Sequence, residues 1–78
     1  MAFREVHCKY DGEVLVFDNI EDWDINLEAP DHATVVSQTG EAIAERKGLN
    51  RAPDLSSFHV LEADDGETLH VVPQATWG

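Results

Sequence analysis

Four histidines, His7, His32, His59 and His70, and one cysteine, Cys8, are the side chains that could ligate a metal ion or act as nucleophiles. Their spacing argues against both. His7 and Cys8 are neighbours, so in an extended strand they point to opposite faces and cannot share an ion. His59 and His70 become diagonal neighbours, about 7–8 Å apart, if the chain around them forms a hairpin. Two imidazoles do not make a zinc site, and neither paired cysteines nor a His-x₃-His spacing completes one. A cysteine nucleophile needs an electropositive setting to lower its pKa, and a net charge of -11 supplies the reverse. Cys8 reads instead as a small core hydrophobe. Sixteen acidic residues in 78 allow many acid–base pairings and single out none. No catalytic, metal or cofactor assignment follows, and the chain is not expected to be an enzyme.

The remaining signal is the acid itself. Positions 10–45 hold no Lys or Arg but ten carboxylates: Asp11, Glu13, Asp18, Glu21, Asp22, Asp24, Glu28, Asp31, Glu41 and Glu45. Within them Trp23-Asp24-Ile25-Asn26-Leu27-Glu28 alternates strictly between apolar and polar. Period two predicts a strand with Trp23, Ile25 and Leu27 on its core side and Asp24, Asn26 and Glu28 outside. Glu21, Asp22, Trp23, Asp24, Glu28 and Asp31 are therefore the candidate partner-binding residues.

The elements that would position them are short. Asp11-Gly12 is a two-residue turn signal. It pairs Tyr10 with Glu13, Cys8 with Leu15 and Val6 with Phe17 in a hairpin over 3–18, with Val6, Cys8, Tyr10, Leu15 and Phe17 on the core face. A single helical turn over 20–22, capped by Asn19 or Asp18, leads to the alternating strand, which Pro30 ends. Thr34, Val35 and Val36 predict a partner strand over 33–37. Thr39 then reads as the N-cap of a two-turn helix, with Glu41 in its first turn and Arg46 and Lys47 in its last. Gly48 is placed as the left-handed C-terminal residue, and Ile43 and Leu49 as the residues packed on the sheet. After a loop stiffened by Pro53, a second hairpin over 57–73 turns at Asp65-Gly66, gathering Phe58, Val60, Leu69 and Val71 on one face. The tail is expected to be loose unless Trp77 docks. The fold expected is one α+β domain: a small, mainly antiparallel sheet of two Asp-Gly hairpins and a middle strand pair, with one short helix.

Composition bounds the rest. A hydrophobic content of 42% is enough for a core despite the charge. One cysteine excludes an internal disulfide and suits a reducing compartment. No run approaches the ~20 apolar residues needed to cross a bilayer, and Met-Ala-Phe-Arg-Glu-Val does not read as a signal peptide, so a soluble, cytoplasmic protein is expected.

Residues 41–51 resemble the first helix and turn of a helix-turn-helix motif. Pro53 and a strand follow where the recognition helix should be, and repulsion between phosphates and so acidic a chain excludes direct nucleic-acid binding. In size and charge the chain resembles phage-encoded inhibitors, including anti-CRISPR proteins. That resemblance implies a DNA-mimicking surface that occupies the basic groove of a nucleic-acid-binding protein. Two other functions fit the composition. Few lysines and runs such as Glu62-Ala63-Asp64-Asp65-Gly66-Glu67 resemble proteins of salt-adapted organisms, and an exposed strand edge with Trp23 or Trp77 as anchor would suit a subunit of a larger assembly.

Overall fold

A computed structural model describes residues 4–18 and 20–73. The elements run β1 (Glu5–Tyr10), β2 (Glu13–Asp18), a 3₁₀ turn (Ile20–Asp22), α1 (His32–Lys47), β3 (Phe58–Glu62) and β4 (Thr68–Pro73). The four strands form one sheet in the order β2-β1-β4-β3. Both outer pairs are antiparallel, but the central pair, β1 and β4, is parallel. The sheet is thus mixed, and the α+β class stands. Two hairpins have been joined side by side through their inner strands, a non-local pairing of residues more than 60 apart in sequence.

β1 and β2 pair Tyr10 with Glu13, Cys8 with Leu15 and Val6 with Phe17. Asp11 and Gly12 between them both adopt positive φ, 52° and 80°, the geometry that matches the right-handed twist of a hairpin. The second hairpin turns differently from the two-residue Asp65-Gly66 loop expected. Gly66 N–H donates to the Ala63 carbonyl and Ala63 N–H to the Thr68 carbonyl, enclosing a four-residue loop over 64–67. Only Gly66 has positive φ there. Asp65 instead accepts from the backbone N–H groups of Glu67 and Thr68 and from the Thr68 hydroxyl, an Asx-type turn inside the loop. The wider loop keeps Val60 opposite Val71, so Leu69 and Val71 still face the core.

The middle of the chain departs most from expectation. Residues 33–37 are no strand; they form the first turns of α1, whose N-cap is Asp31 and not Thr39. Asp31 accepts from the backbone N–H and the hydroxyl of Thr34. Val35, Thr39 and Ile43, at helical spacing, supply the buried stripe, and this packing overrides the strand preference of Thr34, Val35 and Val36. Thr39 is fully buried, its hydroxyl donating to the Val35 carbonyl within the helix. The helix ends at Gly48 in the left-handed conformation, with Leu49 N–H donating to the Ala44 carbonyl. Leu49 itself is exposed rather than packed on the sheet.

Without a strand at 33–37 the segment 23–28 has no partner, and it is irregular. Its backbone bonds are local: Trp23 N–H donates to the Ile20 carbonyl and Glu28 N–H to the Asn26 side chain. The facing predicted from alternation nevertheless holds. Ile25 is buried and Trp23 and Leu27 pack against the core, while Asp22, Asp24, Asn26 and Glu28 are exposed. Ile20, Ile25, Val35 and Ile43 share one cluster with Val6, Cys8, Leu15, Phe17, Leu69 and Val71, so the segment lies on the helix side of the sheet. The expected Asn19 cap and the docking of Trp77 fall outside the described residues.

The cap makes a direct test. Asp31→Ala should lower stability by about 1 kcal/mol in urea denaturation. An unchanged midpoint would place the helix start elsewhere.

Candidate functional site

The two flanks of α1 carry the candidate surface. On one flank Trp23 lies beside Ala42 and Arg46, its ring 6.0 Å from that of Phe17. The Arg46 guanidinium sits 4.5 Å over the Phe17 ring and donates to the Val16 carbonyl at 3.0 Å, occupying an acceptor on the outer edge of β2. Lys47 pairs with Glu13, whose carboxyl is held below its ordinary range chiefly by that hydrogen bond. The two bases at the helix end are thus committed to β2. Beyond Trp23 the chain returns to the start of α1, exposing Asp22, Asp24, Glu28 and Asp31 along the way.

The structure therefore keeps Asp22, Trp23, Asp24, Glu28 and Asp31 on one continuous segment, but not on the flat strand face expected. The carboxylates follow a curved loop fixed from beneath by Trp23, Ile25 and Leu27. Asp31 serves the helix cap as well as the surface. The Glu21 side chain falls outside the described residues. Among the described residues, neither of the two ion pairs, Lys47–Glu13 and His7–Glu5, involves Asp22, Asp24 or Glu28.

On the other flank an open groove of about 640 Å³ runs between α1 and the loop over 52–56. The helix meets this loop at Gly40, where a β-carbon would stand 3.4 Å from the Pro53 carbonyl oxygen and 3.6 Å from the Ala52 side chain, ordinary contact distances. Ala33, Val36, Pro53 and Leu55 give the groove apolar walls, with Asp31, Glu41 and Asp54 among its lining. Asp54 accepts from the Ser56 N–H, which lowers its pKa and keeps it anionic. His32 also lines the groove, but its Nε2–H donates to the Phe58 carbonyl at 3.1 Å, tying α1 to β3.

The histidines and Cys8 are dispersed. Cys8 is buried in the core, and burial pushes its thiol up to about 11. His7 points to the opposite face and meets His70, ring centroids 5.4 Å apart and nearly perpendicular. That meeting depends on the parallel β1–β4 pairing, which no local signal announces. Among the described residues no group of three or more His, Cys, Asp or Glu is placed to hold a metal ion. No helix among them is long and apolar enough to cross a membrane.

No protein-family model, curated protein or solved structure matches this chain.

The buried thiol sets an alkaline limit on the fold. In the unfolded chain it ionises near 9.0 and in the folded one near 11. Its contribution is complete below pH 9 and is lost as pH rises toward 11, amounting to roughly 2 kcal/mol. Denaturation midpoints across that window should fall more steeply in the native chain than in Cys8→Ala. Equal slopes, or rapid modification of Cys8 by a disulfide reagent in the folded state, would contradict its burial.

Proposed function

We propose that the chain is a small acidic binding protein whose segment 22–31 docks on a basic protein surface. The best-suited partner is a nucleic-acid-binding protein, whose phosphate-contacting groove Asp22, Asp24 and Glu28 would occupy in place of nucleic acid. The observation that carries this reading is the facing of the segment. Three apolar side chains hold it to the core while its carboxylates, free of ion pairs among the described residues, stand in solvent. The segment is thereby pre-organised, so its charges need not be ordered at the moment of binding. The neighbouring groove adds an apolar seat rimmed by Asp31, Glu41 and Asp54, which suits a partner presenting aliphatic and basic side chains together. An inhibitor of the phage-encoded, anti-CRISPR type is one form this activity would take.

A second reading has its own support. Exposed acids also stand at the turns, at Asp11, Asp64, Asp65 and Glu67, and on α1, at Glu41 and Glu45. So wide a distribution suits a surface adapted to high salt, where the Debye length falls to about 3 Å and self-repulsion is screened.

Two experiments separate the readings. The first needs a nucleic-acid-binding protein that the immobilised chain retains at 0.1 M NaCl and releases to competing duplex DNA. Against that protein, charge reversal at Asp22, Asp24 and Glu28 should cut the association rate ten- to a thousandfold with the circular dichroism spectrum unchanged. Equal binding by the triple variant removes this patch from the account. The second is a salt titration of the fold. Binding in dilute buffer requires a chain folded at 0.1 M salt, whereas unfolding below ~0.5 M with recovery near 2 M favours salt adaptation.

A further inference from the structure

α1 and the segment over 20–31 cover one face of the sheet; no element among the described residues covers the other. Strand alternation and register place Val14 and Val16 of β2, His7 of β1, His70 and Val72 of β4 and Leu61 of β3 on that open side. Val16, His7, His70 and Leu61 form one row straight across all four strands. Val14 is 63% exposed and Val16 39%, unusual for valines in the middle of a strand.

We propose that this face is the contact between two copies of the chain. Charge selects that occupant. The central rows carry no carboxylate, whereas the turns, the segment over 22–31 and the outer side of α1 are acidic, so a basic partner is drawn to those sides. Two chains of net charge -11 repel least where they meet through the face that carries fewest acids, Glu5 and Asp18 in the row at one end of β1 and β2. The charges bordering the patch are also self-complementary. Glu5 and Lys9 lie on the open side at opposite ends of β1, separated by four residues or about 13 Å. A two-fold axis in the plane of contact and across the strands would set Lys9 of each copy over Glu5 of the other, with His7 near the centre. Such a contact is isologous and closes as a dimer. Size permits it: the molecule measures 32 × 31 × 18 Å, one sheet and one helix thick. Its broad side can supply the about 800 Å² that a standard interface takes from each partner. The dimer does not rest on the proposed binding of a basic partner, whose carboxylates stay exposed on the far side.

Sedimentation equilibrium at 0.1 M and 1 M NaCl tests it. A dimer should form and tighten with salt, as screening relieves repulsion while the apolar contact persists. Val14→Lys/Val16→Lys makes the chain less negative by two and should still weaken the dimer at least tenfold. Val16→Lys alone, which sets two lysines against each other in the row on the axis, should weaken it in the same direction should the double variant unfold. Glu41→Gln/Glu45→Gln changes the charge equally on the helix side and should leave the dimer intact or tighter. A monomer at ~1 mM protein in 1 M salt, an assembly larger than a dimer, or a dimer indifferent to the Val14 and Val16 substitutions would overturn the proposal.

Discussion

The parallel pairing of β1 with β4 is the constraint on which the structure depends. It brings Val6 and Cys8 beside Leu69 and Val71, four side chains with no exposed surface, at the centre of the four-stranded sheet. Neither hairpin could bury these residues alone, since an isolated two-stranded hairpin is marginal in water. Joined, they make a four-stranded floor wide enough for one helix, one irregular segment and little more. The buried core then lies on one side of that floor, and Val14 and Val16 are left exposed on the other.

This one-sided construction also explains how an irregular segment can carry a surface. Residues 23–28 gain no ladder bonds, and their position depends on Trp23, Ile25 and Leu27 filling the space beside α1. Burying an aliphatic or aromatic side chain stabilises by roughly 1.5–3 kcal/mol, more than a typical net hydrogen bond at about 1 kcal/mol. The buried Ile25 and the half-buried Trp23 and Leu27 hold six residues without strand pairing. The polar residues between them are left with water, Asn26 excepted, which turns the chain by accepting from Glu28 N–H.

What was legible in the sequence was local. Alternation over 23–28 reports which side chains face inward although no strand forms, because burial alternates along this bent segment as it would along a strand. The helix end at Gly48 and the bases beside it were equally local. The helix start was not, since Thr34, Val35 and Val36 favour a strand in isolation and only the Asp31 cap and the stripe of Val35, Thr39 and Ile43 against the sheet decide otherwise. The central parallel pair, and with it the meeting of His7 and His70, joins segments too far apart for any spacing rule to reach. The acidic candidate residues were found on composition and facing; the groove along the other flank of α1 was not, because it depends on how Gly40 meets the loop at Pro53.

Amide hydrogen exchange bears most directly on this arrangement. The slowest amides should lie in β1 and β4, including Val6, Cys8, Leu69 and Val71, while those of Asp24, Ile25 and Leu27 exchange orders of magnitude faster although the Trp23 and Ile25 side chains remain packed. Protection over 23–28 as strong and as regular as in β1 would mean that the segment is ladder-paired, contradicting a surface held by its side chains alone.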